Sequence, residues 1–294
     1  LREPYAIDGW RIDVANMLGR QGVNQLGFEI GRGIRQAVKA ENAVAYLLGE
    51  NWFDGTDQLQ GDIWDAVMNY AGFTHPLWYW LSFFYVRQHA EPYFVASDVR
   101  WPTTALLETW QTYRAALPWV IARQQFNLLG SHDTARILNV VDGDRARARL
   151  AAALLMTYPG VPSLYYGDEI GLNGDPRQCM NWERSGWDRD LRAHYRTLIE
   201  LRKTSPALID GGFQVLMSDQ DTFAFQREAA EETLIVVAHR GPSARSASKI
   251  PVAHGAIRDG TEFVETFSGA RATVQDGHLP LPPHGTGASI WRSR

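Results

Sequence analysis

Three acidic residues stand where short β-branched or aromatic runs end: Asp13 in Arg11-Ile12-Asp13, Glu50 in Gly49-Glu50-Asn51-Trp52, and Asp133 in Ser131-His132-Asp133. If those runs are strands of a βα barrel, each delivers its C-terminal end to one shared face, where active sites of that fold lie. The spacing agrees: 37 residues separate Asp13 from Glu50 and 83 separate Glu50 from Asp133, one βα unit and then two. Carboxylates gathered in this way repel, and burying them without a task is costly. Arg11 lies two residues before Asp13, so an extended strand puts both side chains on the same side. A guanidinium there suits Asp13 to nucleophilic attack, whereas Glu50, flanked by two like charges, suits proton donation. Two such carboxyls about 5 to 5.5 Å apart cleave a glycosidic bond through a covalent intermediate with retention of configuration; a wider gap implies inversion through a bound water.

Each signal has a plainer reading. A single strand-end Asp is commonly a turn former or a helix cap, and only the set of three points to catalysis. Ser131-His132-Asp133 does not read as a hydrolase triad, because consecutive residues on an extended strand point to opposite sides. Gly31-Arg32-Gly33 sits inside a helical pattern without a preceding phosphate-binding turn, a weak signal for nucleotide. Trp52, Phe53, Trp182 and Trp187 suit either sugar stacking or ordinary packing. Cys179 is the only cysteine, with no Cys or His set of zinc spacing around it, so neither a disulfide nor a metal site is expected.

The elements that must position these residues follow from hydrophobic period. Strand patterns at 7–14, 44–50, 66–70, 124–130 and 161–167 alternate with helical patterns at 24–39, 76–89 with 103–117, 144–158 and 188–203, while the second unit has only a short segment near Asp57. After Ser205-Pro206 the pattern changes to brief strands punctuated by Gly and Pro, at 222–227, 233–238, 262–266 and 287–291. The expected organisation is an α/β catalytic part over 1–206 and an antiparallel β-sandwich over 207–294. A hydrophobic content of 45% and a net charge of −4, without a basic run, predict a soluble globular protein that does not bind nucleic acid. The most apolar run, 75–86, is shorter than the roughly 18 residues of a membrane span, so no membrane association is expected.

Several motifs resemble those of the α-amylase superfamily, in the maltodextrin glucosidase and neopullulanase/cyclomaltodextrinase branch. They are Asp8-Gly-Trp-Arg-Ile-Asp-Val14, Leu48-Gly-Glu-Asn51, Met68-Asn-Tyr70, Gly130-Ser-His-Asp-Thr-Ala-Arg136 and Gly160-Val-Pro-Ser-Leu-Tyr-Tyr-Gly-Asp-Glu-Ile-Gly171. The likeness continues through Leu201-Arg-Lys203 and Pro206-Ala-Leu208 into the sandwich. It implies the carboxy-terminal part, strands 4 to 8, of a (β/α)8 TIM barrel. Asp13 would then be the nucleophile, Glu50 the acid/base and Asp133 the carboxylate that binds sugar hydroxyls and stabilises the oxocarbenium-like transition state. Arg11, His132 and Trp52 would line the substrate, as would Asp175 and Arg177 in a loop that is two residues shorter here than in the family.

The resemblance further implies an enzyme acting on α-1,4-linked maltooligosaccharides without an organic cofactor; a structural calcium occurs in some members only. On the acceptor side, Asn16 is followed by Met17 where the neopullulanase branch has Glu. Met17, with Met68-Asn-Tyr-Ala-Gly-Phe-Thr74 and Pro76-Leu-Trp78, which look like the maltodextrin glucosidase version, favours exo-acting release of glucose; a cytoplasmic location is expected. The alternatives are a neopullulanase or cyclomaltodextrinase with transglycosylation and a non-catalytic relative, which need not keep the acids. Five strands instead of eight leave two open edges, so the chain is expected to be held by a complementary amino-terminal half of the same enzyme; the resemblance also admits a homodimer.

Overall fold

Five short strands near one another all run the same way in the computed structural model, which describes residues 4–82, 100–242, 248–252 and 257–293. Strand β1 (Gly9–Ile12) pairs in parallel with β2 (Tyr46–Gly49), Gly9 opposite Tyr46 and Ile12 opposite Gly49. Strand β2 pairs with β3 (Ala66–Val67), a parallel bridge from Met68 to Phe126 leads to β4 (Phe126–Leu128), and β4 pairs with β5 (Val161–Ser163). The arc follows chain order, as successive βα units require. Among the described residues, β1 and β5 each pair on one side only.

The strands are shorter than the hydrophobic runs that predict them. The run at 7–14 stops at Ile12, because Val14 takes the left-handed conformation at φ 46° and ψ 42°. The run at 161–167 stops at Ser163, and Gly167 turns the chain with φ 88°. Five helices answer the longer patterns: α1 (Gly27–Glu41), α2 (His75–Leu81), α3 (Thr103–Ala115), α4 (Arg145–Thr157) and α5 (Arg189–Thr204). Asp144 caps α4 by accepting from the Ala146 and Arg147 N–H groups, and Asp188 caps α5 by accepting from Leu191. The expected helix at 76–89 is α2 as far as Leu81, and its part from 83 on lies outside the described residues. No helix of the described residues is long and apolar enough to cross a membrane.

By their internal packing the described residues form two compact units. One holds the residues up to Pro76 with Glu108–Leu128 and Pro159–Ser163, and so all five parallel strands; the other holds the remainder. In the first unit, alternation along β2 sends Leu47 to a cluster with Ala15, Ile63, Trp64 and the α1 residues Ile34 and Val38, and sends Leu48 to a second cluster with Met68, Tyr70 and Leu128. Gly31 is there for closeness of approach, since a Cβ on it would lie 2.6 Å from Ile63 Cγ2. The Gly31-Arg32-Gly33 segment is thus part of α1, where helix meets sheet. Asp65 ties the same layers together, taking Arg35 at 2.8 Å, Lys39 at 2.7 Å and the Leu47 N–H at 2.8 Å.

The second unit contains a six-stranded antiparallel sheet. Its strands in chain order are β6 (Gly212–Ser218), β7 (Thr222–Ala229), β8 (Glu232–His239), β10 (Glu262–Glu265), β11 (Arg271–Thr273) and β13 (Gly287–Ser293), with β9 (Ser248–Pro251) and β12 (His278–Leu281) forming a smaller sheet. Ile235 and Val237 on β8 share a core with Ile250 and Leu279 from the small sheet, which makes the pair of sheets a sandwich. Arg227 on β7 is wholly buried and donates to the carbonyls of Thr157, Leu208, Gly211 and Gly212, so it staples the end of α4 to the sheet.

Candidate active site

In the first unit, Asp13 and Glu50 come together on a single side chain. Strand β1 ends at Ile12 and β2 at Gly49, so the next residue of each, Asp13 and Glu50, stands at the C-terminal edge of two neighbouring parallel strands. Arg11 Nη1 meets Asp13 Oδ1 at 2.6 Å, Arg11 Nη2 meets Glu50 Oε1 at 2.5 Å, and Arg11 Nε reaches Met68 Sδ at 3.4 Å. The left-handed turn at Val14 aims its N–H at Glu50 Oε2, 2.6 Å away. Glu50 is 3% exposed, whereas the Asp13 side chain is 74% exposed.

The expected strand-side relation of Arg11 and Asp13 therefore holds in contact, although Asp13 itself lies just past the strand. The expectation that places Glu50 between two like charges leaves out a cation: the Arg11 guanidinium contacts Glu50 directly and bridges it to Asp13. Trp52 stacks on Tyr70, with ring centroids 4.2 Å apart and planes 4° from parallel, so one of its faces is already covered by protein. On the segment after Asp13, Asn16 Oδ1 is buried with no hydrogen-bond partner among the described residues, and Met17 is exposed.

The second unit, taken by itself, holds another cluster. Residues 131–134 form a turn and not an extended strand, which corrects the geometric ground on which a triad is set aside. In that turn His132 Nε2 meets Asp133 Oδ2 at 3.0 Å, and Ser131 Oγ accepts from the Asp133 N–H at 3.2 Å. Arg177 donates from Nε to the His132 carbonyl at 3.0 Å and from Nη2 to Asp133 Oδ1. Asp175 accepts the Arg177 N–H at 2.8 Å and shapes the turn that carries this arginine. Each oxygen of Asp133 thus faces a basic side chain. Trp182 is exposed, and Trp187 takes the guanidinium groups of Arg184 and Arg192 on its ring.

Sequence reasoning passes over Arg136, Tyr165 and Tyr166, which hold the 175–177 turn through the Pro176 carbonyl. The signal available was their place in the two longest family-like motifs, where they carry no chemistry of their own. Among the described residues, no group of three or more His, Cys, Asp or Glu side chains is placed to hold a metal ion.

Comparison with known proteins fits this arrangement. The alpha-amylase catalytic-domain model matches residues 1–194. A cyclomaltodextrinase of a Bacillus species is 40% identical over 237 residues, which cover 79% of this chain and 38% of that protein. Neopullulanase 2 of Thermoactinomyces vulgaris is 32% identical over 298 residues, covering 98% of this chain and 46% of that protein. Among solved structures, a Nostoc punctiforme debranching enzyme soaked with acarbose aligns at TM-score 0.79 and 30% identity over 98% of this chain and 57% of its own. A cyclomaltodextrinase structure aligns at TM-score 0.80 and 33% identity over 98% and 46% respectively. The chain spans less than half the length of the curated relatives named here. With most of its length matched by the family model and its strand-end acids in place, the chain belongs to the α-amylase family of glycoside hydrolases.

Proposed function

We propose that this chain carries the catalytic carboxylates of a retaining hydrolase of α-1,4-glucans. One observation carries the reading: Asp13 and Glu50, distant in sequence, share the Arg11 guanidinium at the C-terminal ends of adjacent parallel strands. In the reaction, Glu50 donates a proton to the glycosidic oxygen while exposed Asp13 attacks the anomeric carbon, and the glycosyl group passes to Asp13. Glu50, now a carboxylate facing Arg11 and the Val14 N–H, takes a proton from water as that water releases the sugar. Asp133 binds sugar hydroxyls, with His132 and Arg177 as its neighbours. No organic cofactor enters these steps.

The substrates are maltooligosaccharides, in keeping with relatives named cyclomaltodextrinase, maltogenic α-amylase and neopullulanase. A second reading, preferential release of glucose, is favoured by Met17, which puts an exposed thioether where the neopullulanase branch has an acid. A Bacillus subtilis relative named intracellular maltogenic amylase, 34% identical over 81% of this chain, supports a cytoplasmic location. The five parallel strands are read as strands 4 to 8 of an eight-stranded barrel that a complementary amino-terminal half completes. One-sided pairing of β1 and β5 among the described residues supports this.

The test is Glu50→Gln in the completed enzyme. Hydrolysis of maltotriose is expected to fall by roughly two to four orders of magnitude, the contribution of a positioned acid/base. An unchanged rate removes Glu50 from the chemistry. Glucose as the first product from maltotriose supports the exo reading, and faster turnover of cyclodextrins than of linear oligomers rejects it.

A further inference from the structure

The bonds around the 173–178 loop close on themselves. Arg136, three residues after Asp133, is 0% exposed, and its guanidinium carbon lies 4.8 Å from the ring centroids of both Tyr165 and Tyr166. Its Nη2 donates to the Pro176 carbonyl at 3.1 Å and its Nη1 to the Tyr166 carbonyl at 2.6 Å. The Pro176 carbonyl also accepts from the Tyr165 hydroxyl at 2.7 Å, and the Tyr166 hydroxyl reaches the Gln178 carbonyl at 2.5 Å. Asn139 exchanges two hydrogen bonds with the backbone of Gly174, at 3.0 and 2.9 Å. One residue beyond Pro176, Arg177 returns to Asp133.

We infer that Arg136 is a positioning residue for Asp133: clamped between Tyr165 and Tyr166, it fixes the Pro176 carbonyl and thereby the register of Arg177 on the Asp133 carboxylate. A buried guanidinium needs partners for its donors, and those partners show what it holds in place. The carboxylate within reach, Asp168, is 3.5 Å away, and burial pushes its carboxyl up to about 7 against the pull of Arg136. Most of the directional bonding of Arg136 goes instead to carbonyls, one of them in the loop that faces Asp133. The consequence for turnover rests on the proposed hydrolysis, but the positioning itself does not.

Cys179, exposed and the only cysteine in the chain, lies on the same loop and gives a label site without background. A nitroxide on Cys179 is expected to give a restricted spectrum in the otherwise unaltered chain. Tyr165→Phe, which deletes one hydroxyl and keeps the ring over the guanidinium, should raise the mobile fraction roughly fivefold, the factor of one net hydrogen bond of about 1 kcal/mol. Arg136→Lys should raise it further, and Arg202→Lys, at a half-buried arginine of α5, should leave it unchanged. In the completed enzyme, Tyr165→Phe should raise KM for maltotriose more than it lowers kcat.

Unchanged label mobility in Tyr165→Phe overturns the inference even if Arg136→Lys does not fold, and so does equal loosening by Arg202→Lys. A completed enzyme without hydrolytic activity defeats the proposed function and leaves the spectral result to decide this one.

Discussion

Arg11 directs its three nitrogens at three different groups, Asp13, Glu50 and Met68, and only a planar fork can do so. Lysine carries the same charge as a single point and can serve one carboxylate at a time. Arg11→Lys therefore separates charge from geometry. If the bridge sets the two carboxyls for their separate roles, kcat/KM for maltotriose should fall about 100-fold, close to 3 kcal/mol of transition-state stabilisation, with an unchanged circular dichroism spectrum. A loss of less than a few fold would mean that a positive charge alone suffices. Asp13, Glu50 and Arg11 are legible in the sequence because two independent regularities bear on them, the period of two along a strand and the length of a βα unit. Arg136 is not, because its partner Pro176 lies 40 residues away with no local pattern between them.

At the level of elements, Asp65 joins α1 to β2, and the sign of its titration follows from its partners. Burial alone would raise the Asp65 carboxyl, but hydrogen bonds from Lys39, Arg35 and the Leu47 N–H outweigh it and hold the group below its usual value. The stability it contributes is fully present above the ordinary aspartate value of about 3.9 and is lost as pH falls through the lowered folded value. Asp65→Asn should lower unfolding free energy at pH 7 by about 2 kcal/mol, and the difference from the parent should shrink below about pH 4. Urea unfolding at pH 7 and pH 3 checks both; equal midpoints at pH 7 would show that α1 is held by its apolar face alone. The same element shows what pattern reading reaches. The α1 helix follows from its period, whereas the end of β1 depends on Val14 adopting a positive φ, which a β-branched residue resists and no sequence rule anticipates. The small strands β9, β11 and β12 escape notice because they are brief and two of them contain proline.

Across the whole molecule, the consequential feature is an arc of parallel strands that pairs on one side at each end among the described residues. Parallel sheets are ordinarily covered on both faces and closed or guarded at their edges, since an unpaired edge offers backbone donors and acceptors to any extended chain. The β1 edge adds apolar surface to that offer: Trp10 is 44% exposed, and Ile7 and Val14 beside it are exposed as well. The chain by itself should therefore associate, with a light-scattering mass above that of one chain that rises with concentration. Trp10→Lys puts a charge on the edge strand and should lower that mass. Adding a polypeptide that carries the amino-terminal βα units of a cyclomaltodextrinase relative should lower it further and, if the proposed half completes the sheet, bring hydrolysis of maltotriose with it. A chain that stays monomeric at high concentration and hydrolyses maltotriose unaided would show that the arc is closed by its own residues, and the complementary half would no longer be required.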